Sequence, residues 1–324
     1  MITIENLTHV YPGTRKLAPR TAISDLTLEV KDGEFAILSG PNGSGKSTLF
    51  RILCGLALPS SGKVSVAGFD LFAQPAKVRE VMGVVFQSPA VDKHLSVAEN
   101  LKIHADLYGL GGAGFTRRRD EALSWTDLVD RLDQQVATLS GGLARQVELA
   151  KVLMTDPKVL LLDEPTTGLD PVSRRNFLDA LHKLQKQRGM TVLMTSHVFA
   201  EADDVDRVAI MREGKLLAHD TPTALKAMIG TEMVVIQAKD TEGLAAKLRA
   251  EMGLAVRCIG DEVRLEETEN GESLPLLEKI LERYRPEVQS ISIKQPGLDD
   301  VFVHVTSKAV PDHALAIDLK RTGT

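Results

Sequence analysis

The chain has 324 residues, with 39 Lys and Arg against 44 Asp and Glu, and its net charge of −5 argues against a nucleic-acid partner. Two cysteines, Cys54 and Cys258, are too few for a disulfide framework and fit a reducing compartment. We expect no signal peptide and no membrane-spanning segment, because no apolar stretch is long enough to cross a bilayer. Any role at a membrane would therefore come through a partner.

A short apolar run that breaks into a glycine-rich loop is the first motif along the chain. Residues 34–39 predict a buried strand, and apolar residues at helical spacing over 49–56 predict the helix that follows. The loop between them is Gly40-Pro41-Asn42-Gly43-Ser44-Gly45-Lys46-Ser47-Thr48, which has the spacing of a P-loop. Its glycines let backbone N–H groups face phosphate oxygens, Lys46 would reach the β- and γ-phosphates, and Ser47 would ligate Mg²⁺. The loop therefore predicts a site for nucleotide phosphates.

Three further apolar runs end abruptly in polar residues, and each predicts a strand. They are Met82 to Phe86, ending at Gln87; Val159 to Leu162, ending at Asp163 and Glu164; and Thr191 to Thr195, leading to Ser196 and His197. Near-continuous apolar strands that alternate with helical patterns predict a parallel sheet buried on both faces. Ligands bind at the carboxyl ends of such strands. We therefore expect these polar side chains to surround the phosphate that the P-loop holds.

Each of these polar residues suits a part of phosphoryl transfer to water. Asp163 can hold Mg²⁺ through a water molecule, and Glu164 can act as the base or position the attacking water. His197 can contact the γ-phosphate, and Gln87 can reach the metal and the attacking water from a neighbouring strand. The predicted catalytic residues are Glu164, His197 and Gln87. The predicted metal ligands are Ser47, Gln87 and Asp163.

A Ser-Gly-Gly turn before the acidic strand decides the family. Ser140, Gly141 and Gly142 precede a predicted helix with Leu143 and Val147 on its apolar side. A helix N-terminus favours anions, although such turns cap helices in many proteins. Because the turn lies shortly before the acidic strand, the sequence resembles the ATPase subunits of ABC transporters. In that family, this signature motif completes the ATP site of the opposite subunit in a head-to-tail dimer.

The resemblance runs from about residue 2 to 225 and implies further contacts with ATP. Tyr11 matches the aromatic residue that stacks on adenine. Ser140 and Gly142 are implied to contact the γ-phosphate bound by the P-loop of a second copy. Asp170 belongs to the D-loop, Thr166 to Pro171, and is implied to cross the dimer. The polar residues at the strand ends match the Q-loop, Walker B and switch-histidine motifs of the family.

Two stretches favour the type-2 exporter branch of the family, which includes daunorubicin-resistance proteins, and one departure from the family pattern is compatible with it. Leu143 replaces the Gln that commonly ends the signature, as is also seen in that branch. Residues 91–110 and 297–306 resemble its region after the Q-loop and the short element that ends its ATPase subunits. The resemblance implies an ATP-hydrolysing subunit that uses Mg²⁺ and works as a homodimer. It also implies a separate transmembrane permease, reached from the cytoplasmic face of the inner or plasma membrane.

The expected fold class is α/β, a P-loop NTPase of the ABC type. The resemblance implies a mixed sheet core, a helical subdomain over about residues 88–156 and an N-terminal antiparallel β subdomain, all within residues 1–230. Over residues 231–306, strand and helix patterns alternate in the order βαββαβ, which predicts a small ferredoxin-like α+β domain. Residues 307–324 are predicted to form a loose tail.

Two other classes of protein stay open at this point. Soluble ABC proteins of translation or DNA repair generally resemble two cassettes in one chain, or one cassette split by a coiled coil or zinc sites. This chain has one cassette, no long heptad pattern and no C-x-x-C. A nucleotide-binding regulator without turnover is the second class, but the residues needed for turnover are all in the sequence. Both features favour the transporter subunit.

Overall fold

The computed structural model describes residues 1–13, 18–230, 232–268 and 273–308. Two compact units divide the chain, and the first ends at His219 while the second begins at Asp220. The first unit carries every motif of the predicted nucleotide site. The domain boundaries expected at residues 230 and 306 stay predictions, and the tail predicted at 307–324 lies outside the described residues from 309 onward.

Strands and helices of the first unit follow the predicted alternation. The strands are β1 (Ile2–Tyr11), β2 (Arg20–Val30), β3 (Phe35–Ser39), β4 (Ser61–Val66), β5 (Phe69–Asp70), β6 (Met82–Val85), β7 (Val159–Asp163), β8 (Thr191–Ser196), β9 (Arg207–Arg212) and β10 (Lys215–Asp220). The helices are α1 (Lys46–Leu53), α2 (Pro75–Val81), α3 (Val97–Leu107), α4 (Gly112–Leu123), α5 (Gly141–Leu153) and α6 (Pro171–Arg188).

A mixed sheet of the first unit brings the predicted strand ends together. Its order is β10-β9-β3-β8-β7-β6, and the neighbours from β9 to β6 pair in parallel. Only two residues join β9 to β10, so these two strands must run antiparallel. Because β3, β6, β7 and β8 are parallel, their carboxyl ends lie at one edge of the sheet. That edge is where the sequence places the P-loop and the polar residues.

An antiparallel sheet and a group of helices complete the first unit. The sheet has the order β2-β1-β4-β5, as the resemblance implied, and its apolar residues share a core with α1. Helices α3, α4 and α5 pack together between β6 and β7 in the chain. A capping box of Ser96 and Glu99 begins α3, and Ser140 caps α5. The Ser-Gly-Gly turn is therefore the start of a helix in this helical subdomain.

The second unit contains an α+β fold. Its elements are α7 (Pro222–Ala227), β11 (Glu232–Ala238), α8 (Thr241–Met252), β12 (Val256–Ile259), β13 (Glu262–Thr268), α9 (Ser273–Tyr284), β14 (Val288–Lys294) and α10 (Leu298–Lys308). The sheet order is β12-β13-β11-β14, with every pair antiparallel. Buried Leu244, Leu248 and Ile280 of α8 and α9 share a core with Val234 and Ile236 of β11. Among the described helices of both units, none is long and apolar enough to cross a membrane.

Replacement of Phe177 by Ala should destabilise the first unit. Phe177 lies in α6 and is 1% exposed, so Phe177→Ala removes a buried ring and leaves a cavity. The expected loss in the free energy of unfolding is about 3–5 kcal/mol, measured by denaturant titration. Val172 of the same helix is 69% exposed, so Val172→Ala is the control and should cost far less. Equal losses in the two variants would contradict the packing described for α6.

Candidate active site

The P-loop is shaped by two glycines that no other residue could replace. Gly40 and Gly45 have φ angles of 154° and 107°, in a region that side chains rarely adopt. A Cβ on Gly40 would lie 2.2 Å from the carbonyl oxygen of Met211, and one on Gly45 would lie 2.6 Å from that of Ala22. The backbone of the loop is therefore held against its neighbours, and α1 begins directly after it at Lys46. This arrangement points the N-terminus of α1 at the loop, as an anion site requires.

Lys46 and Ser44 supply polar groups inside this loop. Lys46 is 5% exposed, and its Nζ donates to the carbonyl oxygens of Gly40 at 2.6 Å and Pro41 at 3.1 Å. Burial lowers the pKa of Lys46, while the charges of Glu164 and Asp163 raise it. An ammonium has three donors, so within the described residues one remains for a phosphate. The Ser44 Oγ is buried and has no hydrogen-bond partner in the described part of the chain, which fits a loop that holds a ligand.

Three side chains meet at Glu164: those of Gln87 and His197 come from other segments, and that of Thr167 comes from the turn that follows Glu164. Glu164 Oε2 accepts a hydrogen bond from Gln87 Nε2 at 3.1 Å and another from Thr167 Oγ1 at 3.3 Å. His197 Nδ1 lies 3.3 Å from the same oxygen. The structure therefore brings the three predicted catalytic residues into contact. The backbone of Glu164 has a φ of 41°, which is unusual for a residue with a side chain.

Asp163 and Glu164 are also linked by a residue that the sequence analysis did not single out. Thr195 Oγ1 donates to Asp163 Oδ1 at 2.6 Å and accepts from the Glu164 N–H at 2.9 Å. Burial raises the pKa of Asp163, and Glu164 raises it further, whereas the Thr195 hydrogen bond, Lys46 and Arg145 lower it. Thr195 is 2% exposed at the end of β8. A threonine at the carboxyl end of a strand that leads to His197 was the signal that could have identified it.

Oxygen groups that suit Mg²⁺ lie near the mouth of the P-loop. Asp163 offers a carboxylate, Ser47 is an exposed hydroxyl, and Gln87 keeps its amide oxygen while its NH₂ contacts Glu164. Within the described residues, no group of three or more His, Cys, Asp or Glu could hold a metal alone. This donor set fits a Mg²⁺ ion that completes its coordination with phosphate and water.

The remaining predicted site residues lie on other parts of the first unit. Ser140 and Gly141 are exposed, and Ser140 Oγ accepts from the Leu143 N–H at 3.3 Å. Asp170 caps α6 by accepting from the N–H groups of Val172 and Ser173, both at 3.0 Å. Hydrogen bonds from Ser173 and then from Val172 lower the pKa of Asp170. No hydrogen bond or ion pair of the described residues joins Ser140 or Asp170 to the P-loop of the same chain.

Tyr11 lies next to the P-loop helix. Its Oη is 3.2 Å from Thr48 Oγ1, and its ring packs edge-on against His9 with centroids 4.6 Å apart. The side chain is 37% exposed. One part of the tyrosine is thus anchored while its ring remains open to a ligand.

Comparison with known proteins identifies the family. The ABC transporter family matches residues 23–167. The daunorubicin resistance ATP-binding protein DrrA3 of Streptomyces coeruleorubidus is 34% identical over 295 residues, which cover 90% of this chain and 93% of that protein. The chain is an ATP-binding subunit of an ABC transporter. The Nod factor export ATP-binding protein I of Neorhizobium galegae is 32% identical to this subunit, over 89% of this chain and 82% of that protein.

A solved structure supports the same assignment for the ATP-binding subunit. A dimeric ATP-binding cassette in a post-hydrolysis state, bound to ADP and Pi, aligns with a TM-score of 0.60 and 27% identity. The alignment covers 68% of this chain and 98% of the cassette. The predicted fold class, ATPase activity and use of ATP and Mg²⁺ are therefore confirmed. The subunit hydrolyses ATP to drive a separate permease, and these relatives favour that function over the soluble and regulatory alternatives.

Removal of the Thr195 hydroxyl should raise the Mg²⁺ concentration that ATP hydrolysis requires. Thr195→Val keeps the shape of the side chain but loses the hydrogen bond that favours the Asp163 carboxylate, so the pKa of Asp163 should rise further. We expect the half-saturating Mg²⁺ concentration for ATP hydrolysis to rise about tenfold, with the acid limb of the pH profile moved to higher pH. Steady-state ATPase assays across Mg²⁺ concentration and pH measure both.

Thr195→Ser is the matched control for this experiment. It retains the hydroxyl and should keep the Mg²⁺ dependence and pH profile of the unmodified protein. If Thr195→Val shows that same profile, the hydrogen bond to Asp163 has no part in metal binding.

Proposed function

We propose that two copies of this subunit assemble head to tail around two ATP molecules and, on hydrolysis, drive an exporter permease. In this arrangement each P-loop faces the Ser140-Gly141-Gly142 turn of the other copy. ATP closes the pair and hydrolysis reopens it, which moves the permease. The observation that carries the proposal is the Glu164 carboxylate, which Gln87, His197 and Thr167 contact at the edge of the sheet beside the P-loop.

Nucleotide binding is assigned to the P-loop and Tyr11. Backbone N–H groups of the loop after Pro41 and the Lys46 ammonium hold the phosphates, because both lie at the N-terminus of α1. Ser44 Oγ, which is buried in the loop, supplies a further donor. The half-exposed ring of Tyr11 stacks on the adenine.

Hydrolysis is assigned to the residues at the ends of β6, β7 and β8. Glu164 accepts a proton from the attacking water and is oriented by the donors on its Oε2. His197 contacts the γ-phosphate, and Gln87 links the water to the metal site. When bound by Ser47, Asp163 and Gln87, Mg²⁺ supplies charge neutralisation for the β- and γ-phosphates.

The cross-subunit site is supported by the exposed start of α5. Ser140 uses its oxygen to accept from Leu143 and retains its own O–H to donate to a phosphate. The first N–H groups of α5 and the helix dipole favour an anion at the same point. A related cassette is dimeric in its solved structure. Two such helix starts in a head-to-tail pair would each complete the other copy's ATP site.

The permease, and not this subunit, is proposed to select the cargo. Relatives of similar length are named for daunorubicin resistance and for Nod factor export, which concern chemically different molecules. This subunit matches both relatives along most of its length, which fits an ATP-hydrolysing role that is the same whatever the cargo.

We also assign this subunit to the cytoplasmic face of the inner or plasma membrane, where it would be attached through the permease.

Replacement of Glu164 by Gln should separate nucleotide binding from hydrolysis. Glu164→Gln keeps the shape but cannot accept the proton, so turnover should fall about 10²–10⁴-fold. ATP affinity should hold, because Lys46 and the P-loop are unchanged. The purified variant should elute as an ATP-dependent dimer in size-exclusion chromatography, since bound ATP is no longer consumed.

Two further variants test whether the dimer is the proposed one. Ser140→Arg added to Glu164→Gln should abolish the ATP-dependent dimer, because the larger side chain fills the second phosphate site. Glu242→Gln, at an exposed position of α8, should behave as the unmodified protein. Wild-type hydrolysis in Glu164→Gln would refute the assignment of the base. A dimer that persists in the double variant would refute the cross-subunit site alone.

Replacement of Tyr11 by Ala should weaken the binding of ATP and GTP alike, because stacking on a purine is not specific for one base. The affinity for each nucleotide should fall by about tenfold, measured by isothermal titration calorimetry. Tyr11→Phe removes only the contact with Thr48 and should keep most of the affinity. If Tyr11→Ala binds both nucleotides as tightly as the unmodified protein, Tyr11 is only a strand residue.

A further inference from the structure

A buried carboxylate lies behind the catalytic centre. Glu201 belongs to the 3₁₀ turn Phe199–Ala202, which follows His197, and is 4% exposed. Ser196 Oγ donates to its Oε2 at 2.5 Å, and Thr166 Oγ1 donates to its Oε1 at 2.6 Å. Arg174 Nε of α6 lies 3.5 Å from Oε1. One carboxylate thus joins the end of β8, the loop after β7 and the first turns of α6.

The two hydroxyl donors on Glu201 are chain neighbours of two residues that contact Glu164. Ser196 directly precedes His197, and Thr166 directly precedes Thr167. His197 Nδ1 and Thr167 Oγ1 each lie 3.3 Å from Glu164 Oε2. Glu201 therefore fixes both segments that orient this oxygen, although it does not contact Glu164 itself in the described structure.

Burial of the Glu201 carboxylate costs free energy, so its position in the core needs an explanation. An ionised carboxylate loses its hydration when it is buried, and apolar residues of similar volume often pack at least as well. Short hydrogen bonds to a charged acceptor are strong and directional, so they fix the positions of their donors. Arg174 adds a charge partner and attaches the helix that Asp170 caps. These contacts favour a role for Glu201 in fixing the positions of its partners over a role in the general stability of the fold.

We propose that Glu201 is a positioning residue for ATP hydrolysis. By holding Ser196 and Thr166, it keeps His197 and Thr167 in place at the Oε2 atom of Glu164 and so aligns that carboxylate with the attacking water. The inference rests on the proposed function of Glu164. Misplacement of a catalytic group by about 1 Å can cost 10²-fold in rate, so loss of this alignment should lower kcat.

The test is the steady-state ATPase activity of Glu201→Gln in the full chain. We expect kcat to fall about 10- to 100-fold while KM for ATP changes less than about twofold, because the P-loop is untouched. Asp300→Asn is the matched control, since Asp300 is also a buried, ion-paired carboxylate but belongs to the second unit. It should keep kcat even if it lowers the melting temperature. Thr166→Val, which removes a single donor, should lower kcat by a smaller factor.

A double-mutant cycle distinguishes positioning from a general structural effect. In a Thr167→Val/His197→Ala background, Glu201→Gln should have little further effect on kcat, because the groups through which it acts are gone. An equal loss of kcat in both backgrounds, or wild-type kcat in Glu201→Gln, overturns the inference. Glu164→Gln is measured in parallel: if it hydrolyses ATP normally, the proposed function fails, and if it is inactive while Glu201→Gln is normal, only this inference fails.

Discussion

Two neighbouring carboxyl groups at the end of β7 set the main constraint on this structure. Burial and the charge of Glu164 both disfavour the ionised form of Asp163, yet Mg²⁺ binding needs that form. The Thr195 hydroxyl, Lys46 and Arg145 oppose these effects. They come from β8, α1 and α5, so the charge balance of the site depends on the sheet, the P-loop helix and the helical subdomain together. A change that displaces any of these elements therefore alters the surroundings of the same two carboxylates.

Helix α5 links the helical subdomain to both catalytic loops. Arg145 and Glu148 form a buried ion pair within the helix. Arg145 Nε donates to the carbonyl oxygen of Pro165 at 2.8 Å, directly after Glu164, and Glu148 accepts from the N–H of Ala90, in the loop that follows Gln87. Breaking a buried pair leaves a costly unpaired charge, so these contacts resist separation. A displacement of α5 is therefore transmitted to the loops that follow β6 and β7.

The sequence predicts the site residues at the strand ends better than it predicts the buried residues that hold them in place. Strand-end residues such as Gln87 and His197 follow apolar runs, and the rule for parallel sheets assigns them to one edge. Glu201 and Arg145 offer no such signal, because charged side chains are usually exposed and the contacts that join them to the loop after β7, at Thr166 and Pro165, lie 35 and 20 residues away. The second unit shows the same limit. Its βαββαβ order is readable, but the place of β11 between β13 and β14 depends on long-range pairing.

The left-handed backbone of Glu164 has a consequence for which residue can occupy this position. A residue with a side chain at a φ of 41° stores about 1–3 kcal/mol of strain, which glycine would release. Glycine at this position would release that strain but would also remove the carboxylate and its hydrogen bonds with Gln87 and Thr167. The strained backbone at this position is thus explained by turnover and not by local backbone stability. A chain with glycine here would retain the P-loop and lose the base that we assign to Glu164, which would leave nucleotide binding without hydrolysis.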